Sequence, residues 1–208
     1  MYIIELDVGE HCANCYVLYC EETLEAAIID PAAQEQGIIE LLAEEKLNLK
    51  YIINTHGHFD HIRANGAIKK ATGALILIHE EEALVLETYD NILSIFPDKG
   101  VSGGIADIFI ADGDTVEFGN VKLQVIHTPG HTKGGICLYN KEENVLFSGD
   151  TLMAGTIGVT DLPGGSYETI IKSIKEKLFT LPDATVVYPG HGEVTTIEYE
   201  KKNNPSFS

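Results

Sequence analysis

The sequence predicts an α/β (α+β) fold: two β-sheets packed together with helices on their outer faces, in one domain spanning residues 1–208. Three observations predict it. Short β-type runs alternate with Gly-, Asn- and Asp-rich turns. Amphipathic segments of helical period fall between some of those runs. The pattern of strands first and helices after occurs twice along the chain, with no linker, low-complexity tract or short repeat between the halves. The chain is also long enough to enclose a full hydrophobic core.

The first half opens as a meander, with apolar runs at residues 2–6, 16–19 and 26–29. Residues 34–45 read as an amphipathic helix, with Ile38, Leu41 and Leu42 on one face, leading into a short apolar strand at 51–53. Beyond it, residues 64–71 read as a helix, 75–78 as a strand and 80–93 as a further helix. In the second half, strands are predicted at 108–110, 115–118, 122–126, 136–139 and 145–147. The turns Asp112-Gly113-Asp114 and Phe118-Gly119-Asn120 punctuate them. Ser166 is the expected N-cap of a helix over 167–178, with Glu168 in its first turn, and a last strand is predicted at 185–188.

Composition excludes several classes. Hydrophobic residues make up 44% and charged residues 22%, ordinary soluble usage. Asp and Glu number 32 against 14 Lys and Arg, a formal charge of −18 that repels a phosphate backbone, so a small-molecule substrate is expected and nucleic acid is not. The first residues carry acids within their apolar run and no basic segment, unlike a signal peptide. No stretch approaches the ~18 uninterrupted apolar residues of a membrane span. A cytoplasmic protein without a membrane partner is expected, with the oligomeric state left open.

Cys12 and Cys15 form a C-x-x-C, but no second such pair follows, and Cys15 opens an apolar run. The four cysteines, Cys12, Cys15, Cys20 and Cys137, are therefore expected to be free thiols in or near the core.

The chemistry concentrates in Asn54-Thr55-His56-Gly57-His58-Phe59-Asp60-His61, directly after a predicted strand, where α/β folds assemble their sites. His56, His58, Asp60 and His61 are imidazole and carboxylate donors of the kind borderline divalent ions accept. A structural zinc site would more often draw on cysteine. Four donors this close would crowd one ion, so two ions, or one ion with spare ligands, is the natural reading. Three further candidates each follow a strand and a glycine: His131 in Pro129-Gly130-His131, Asp150 in Ser148-Gly149-Asp150 and His191 in Pro189-Gly190-His191. A lone turn histidine is more often solvated than ligating; three such sites beside a four-donor cluster reverse that expectation.

This ordered set, H-x-H-x-D-H followed by glycine-flanked His131, Asp150 and His191, resembles the metallo-β-lactamase superfamily along nearly the whole chain. The resemblance implies a four-layer αββα sandwich of two mixed β-sheets with helices on the outer faces and two divalent metal ions, zinc first, with iron or manganese as alternatives. It implies His56, His58 and His131 on one ion, Asp60, His61 and His191 on the other, and Asp150 bridging both. Within the superfamily, Gly149-Asp150-Thr151-Leu152, Asp161-Leu162-Pro163-Gly164-Gly165 and Tyr188-Pro189-Gly190-His191-Gly192 look like glyoxalase II (hydroxyacylglutathione hydrolase) and its short bacterial relatives. Asp150 directs the resemblance away from lactam hydrolysis, whose two-metal branch commonly has a cysteine among its second-site ligands.

Two departures limit what carries over. Glyoxalase II proper has a further helical segment whose basic residues hold glutathione, whereas this chain ends at Ser208. Short relatives often have Arg where this chain reads Val159 in Gly158-Val159-Thr160-Asp161. The expected reaction is hydrolysis of a small acyl thioester by a hydroxide shared between two ions, Asp60 and Asp150 being catalytic as ligands first and proton carriers second. The alternatives are a mononuclear-iron persulfide dioxygenase, a hydrolase of another ester or lactone, and a non-catalytic metal-loaded sensor module. Arg63, the only arginine, and Lys133 are candidate substrate contacts, set against surface roles. His11, His79 and His127 match no ligand position and are expected to be structural or to support ligands.

Overall fold

In the computed structural model, the structure describes residues 1–8, 13–94 and 103–207. The chain divides into two compact units: Met1–Ile110 with Glu117–Val121, and Ala111–Val116 with Lys122–Ser208. Each is built on a six-stranded mixed sheet.

The first sheet has the order β1 (Tyr2–Val8), β2 (Ala13–Tyr19), β3 (Glu25–Ile29), β4 (Asn48–Ile53), β5 (Leu75–Ile78) and β6 (Ile108–Phe109). The first three strands are the predicted antiparallel meander; β3, β4, β5 and β6 then run parallel. Helices α1 (Glu35–Glu44), α2 (Phe59–Ile62), α3 (Asn65–Thr72) and α4 (Glu80–Ser94) lie between or after these strands. As expected, α1 buries Ile38 and Leu42, with Leu41 packed beside them against a core that includes Val17, Ile28, Ile52, Ile62, Ile68 and Ile76.

Pairing extends several strands beyond their apolar runs, β2 and β4 furthest. Strand β2 starts at Ala13 because Ala13, Asn14 and Cys15 face Val8, Asp7 and Leu6. Strand β4 starts at Asn48 because it pairs in parallel with β3 from Glu25 onward. Ladder hydrogen bonds recruit flanking polar residues that no hydrophobic pattern marks. At the sheet edge the predicted run 108–110 shortens to Ile108–Phe109.

The second sheet has the order β14 (Thr195–Thr196), β13 (Val186–Pro189), β10 (Val145–Gly149), β9 (Ile136–Asn140), β8 (Val121–His127) and β7 (Thr115–Phe118). A two-stranded ribbon, β11 (Leu152–Met153) and β12 (Thr156–Ile157), stands apart from it. Helix α5 (Tyr167–Glu176) starts where predicted, with the Ser166 hydroxyl accepting the Thr169 N–H. It stops before residue 178 and continues as a 3-10 turn at Leu178–Thr180. Helix α6 (Ile197–Asn203) follows β14. Ile170, Ile174, Leu178, Val187 and Ile197 gather with Cys137 and Leu146 in this unit's core.

Cys15, Cys20 and Cys137 are free and buried, as expected; Cys12 and His11 lie outside the described residues. Among the described residues, no helix is long and apolar enough to cross a membrane.

Candidate metal centre

In the first unit, parallel pairing decides what meets. Ile29 of β3 faces Ile53 of β4, so Asp30 leaves its strand beside Asn54 and Thr55. The Asp30 N–H donates to the Ile53 carbonyl. Its buried carboxylate accepts the Thr55 N–H at 2.8 Å on Oδ1 and the Thr55 hydroxyl at 2.6 Å on Oδ2. His61 Nδ1 lies 3.0 Å from the same Oδ2, and a carboxylate acceptor places the proton on that nitrogen. Having given its own proton to Asp30, the Thr55 hydroxyl accepts from His56 Nδ1 at 3.1 Å. Asp30 therefore fixes the tautomer of His61 directly and that of His56 through Thr55, leaving both Nε2 atoms as basic nitrogens. Ligand histidines are oriented in this way, the far N–H being held so that the other nitrogen meets the ion.

The remaining donors of the run sit on the same turn. His58 is the extended N-cap of α2, and Asp60 and His61 lie on that helix. The His56 ring is 4.7 Å from that of His58 and 4.2 Å from that of His61, centre to centre. Behind the turn, the buried Glu82 of α4 accepts the Gly57 N–H at 3.0 Å. Asn54 and Asn65 exchange side-chain hydrogen bonds of 3.3 and 2.7 Å, tying the end of β4 to the start of α3.

In the second unit, β10 and β13 are parallel neighbours with Gly149 facing Pro189, so Asp150 and His191 emerge side by side. The Gly190 N–H donates to the Gly149 carbonyl at 2.7 Å. Strand β8 runs antiparallel to β9, and β9 antiparallel to β10, which puts the turn carrying His131 at the same sheet end. His131 Nε2 stands 3.5 Å from Asp150 Oδ2 and His191 Nε2 3.7 Å from it. These separations exceed a hydrogen bond and approach the roughly 3.3 Å between two ligands of one tetrahedral ion bonded at ~2.0 Å. His131 Nδ1 donates to the Val159 carbonyl at 2.7 Å, again leaving Nε2 basic. Donor chemistry, tautomers and spacing in both units fit divalent metal ions.

Glycine has two separate uses here. Gly130 has φ +136°, and a Cβ there would lie 2.3 Å from the Ile170 nitrogen, so α5 packs directly under the turn. Gly149 before Asp150 is also left-handed, whereas at the third site the left-handed residue is Gly192, after His191. At Gly158 the issue is approach: a Cβ would lie 2.1 Å from the Asp150 carbonyl oxygen and 2.8 Å from His131 Nδ1. Gly158→Ala is expected to weaken Zn²⁺ binding at least tenfold while the chain stays folded, as measured by competition against a chromogenic chelator.

Close to the ligands, the Thr128 hydroxyl lies 2.8 Å from that of Thr151 and 3.3 Å from Cys137 Sγ. Burial pushes the Cys137 thiol up to about 11 against the Thr128 hydrogen bond, so in the metal-free chain it stays protonated at neutral pH. His127 supports its surroundings: its Nε2 is 2.9 Å from the Lys133 carbonyl and its N–H donates to Asp112. His79 Nδ1 accepts the Glu81 N–H at the start of α4. The Arg63 guanidinium lies 4.8 Å over the Phe59 ring, and Lys133 is exposed.

Sequence reasoning missed Asp30, Glu82 and the Val159 carbonyl. Asp30 had one usable signal, an acid directly after the buried run Ala26-Ala27-Ile28-Ile29. Glu82 had none, because Glu80-Glu81-Glu82 reads as an ordinary acidic first turn.

Imidazole and carboxylate donors at strand ends, with ring tautomers fixed from behind, are in each unit the kind of group a metalloenzyme offers a metal ion. Residues 9–191 match the Metallo-beta-lactamase superfamily, and the chain belongs to that superfamily. It is 37% identical to hydroxyacylglutathione hydrolase GloC of Haemophilus influenzae over 92% of this chain and 91% of that protein. It is 34% identical to mitochondrial persulfide dioxygenase ETHE1 of Bos taurus over 95% of this chain and 72% of that protein. The crystal structure of the BLEG-1 B3 metallo-beta-lactamase superposes with a TM-score of 0.90 at 35% identity, covering 100% of both chains. The expected fold class, mixed α/β with two large mixed sheets and helices, is the one observed.

Proposed function

We propose that this protein is a binuclear metal-dependent hydrolase of a small acyl thioester, a single-domain relative of hydroxyacylglutathione hydrolases. The observation that carries it is the likeness to GloC along 92% of the chain, with all seven donor residues of the family pattern kept. In this reading His56, His58 and His131 would hold one ion, Asp60, His61 and His191 the other, and Asp150 would serve both. Divalent ions there would supply Lewis acidity, able to acidify water toward neutral pH and to polarise an acyl carbonyl.

The chain's own residues supply the order. Asp30 and Thr55 hold His61 and His56 in the tautomers that ligation needs, and the Val159 carbonyl does so for His131. A thiolate leaving group, with a free-thiol pKa near ~8.5, departs without a strong general acid, which suits a site whose acids act as ligands. Arg63, steadied by Phe59, and the exposed Lys133 are the cations offered to an anionic substrate. The substrate is a small molecule, nucleic acid being repelled by the net charge, and the compartment is the cytoplasm.

The test is a hydrolysis panel of acyl thioesters, lactones, phosphoesters and lactams on metal-replete protein, with metal analysis of protein purified without added metal. Thioester turnover is expected to vanish with chelator and return with Zn²⁺, Fe²⁺ or Mn²⁺. A second reading, a persulfide dioxygenase, is favoured by the likeness to ETHE1. One iron per chain with oxygen uptake on glutathione persulfide would establish it instead. Metal binding with a blank panel and no oxygen uptake would point to a sensor module.

A further inference from the structure

Glu200 is fully buried in α6, nine residues after His191, and three neutral donors converge on its carboxylate. The Thr195 hydroxyl donates to Oε1 at 2.6 Å, the Asn204 amide to Oε2 at 2.7 Å, and the Gly155 N–H to both oxygens at 3.2 and 3.1 Å. The Asn204 amide also donates to the Thr156 carbonyl at 3.0 Å. Glu200 and Asn204 thus grip the tip of the β11–β12 ribbon on both sides, through the N–H of one residue and the carbonyl of the next. Two strands of two residues each have too little pairing to hold their own position. A buried carboxylate whose hydrogen-bond donors, among the described residues, are all neutral is costly in desolvation, and an apolar residue would serve packing alone better.

What the ribbon carries gives that arrangement its use. Its incoming strand begins two residues after Asp150, and its outgoing strand runs straight into Gly158 and Val159. Gly158 is pressed against the Asp150 carbonyl and the His131 ring, and the Val159 carbonyl accepts from His131 Nδ1. There is no slack between the outgoing strand and the two ligands, so a shift of the ribbon is a shift of the ligands.

We propose that Glu200 is a positioning residue for the ligand pair His131 and Asp150, acting through the β11–β12 ribbon that it and Asn204 clamp. The proposal rests on metal binding by that pair and not on the substrate.

The experiment uses the full chain loaded with Zn²⁺ or Co²⁺. In Glu200→Ala, Zn²⁺ affinity from chelator competition is expected to fall about tenfold and the visible Co²⁺ spectrum to shift, at a temperature where circular dichroism shows native structure. Glu200→Gln, which keeps one acceptor oxygen, should recover part of both. Asn204→Ala should move both readouts in the same direction by less, and it decides the matter alone if Glu200→Ala does not fold. Lys201→Ala, which loosens the same helix at its surface pair with Asp183, should lower the melting temperature and leave the Co²⁺ spectrum unchanged. Folded Glu200→Ala or Asn204→Ala protein with wild-type Zn²⁺ affinity and Co²⁺ spectrum would reduce the carboxylate to a packing role and overturn the proposal. A wild-type chain that takes up neither metal would remove the metal reading with it. Metal uptake with a blank hydrolysis panel would remove only the proposed function.

Discussion

Asp30→Ala is expected to cost on the order of 3–5 kcal/mol of stability in the metal-free chain and a further 10–100-fold in metal affinity. The first figure follows from what the carboxylate holds: the Thr55 N–H, the Thr55 hydroxyl and the His61 ring N–H all lose their acceptor in a site closed to water. The second follows from the freed tautomers. Without Asp30, the Thr55 hydroxyl can turn its proton toward His56, and His61 can carry its proton on Nε2, the atom meant for the ion. Asp30→Asn should fall between the two proteins, since one carbonyl oxygen cannot serve three donors and the new NH₂ faces them. Urea unfolding of the metal-free proteins gives the stability change, and chelator competition gives the affinity. Equal metal affinity in Asp30→Ala and wild type would show that the tautomers are fixed by something else.

The second large effect is expected at Asp150. On the proposed hydrolase reading, Asp150→Ala should lower thioester turnover by at least about 10²–10³-fold, the size of losing one electrostatic contact made at the reacting centre. Its fold should survive, because the carboxylate faces His131 and His191 at 3.5 and 3.7 Å rather than filling the core. The signature that separates loss of a shared ligand from loss of shape is stoichiometry: the variant should bind less than the wild-type metal content at saturating Zn²⁺ while keeping its circular dichroism. An Asp150→Ala protein with full metal content and full turnover would remove the carboxylate from the centre.

The parts of this site that could be read in the sequence are those that advertise themselves locally. His56 to His61 crowd donors into one turn, and His131, Asp150 and His191 each follow a glycine at a strand end, so residue type and spacing mark them as candidates. Asp30 became visible only with the parallel register of β3 on β4, which sets it beside Thr55 across 25 residues of chain. The partner of His131 Nδ1 is a backbone carbonyl, which no side-chain pattern can announce.

The fold divides the same way. Long amphipathic segments such as α1 and α5 and the continuous apolar strands were legible from periodicity. The strands β11, β12 and β14 have two residues each and no period to read. Helix α6 escaped because its interior buries Glu200, a charged residue where an amphipathic reading calls for an apolar one.

The parallel pairing of β10 with β13 also bears on how the protein comes to hold its metal. Asp150 and His191 are adjacent in space only because a late strand returns across α5 to lie beside one made some forty residues earlier, a slow closure of long range. During synthesis the chain exposes His56 to His61, then His131, then Asp150, as loose donors long before His191 exists to join them. In the proposed assignment the ion on His56, His58 and His131 would need nothing from β13, whereas the ion on Asp60, His61 and His191 would wait for that strand's return. Loading of the second ion would then be the later event, coupled to completion of the second sheet rather than to the appearance of the first histidines.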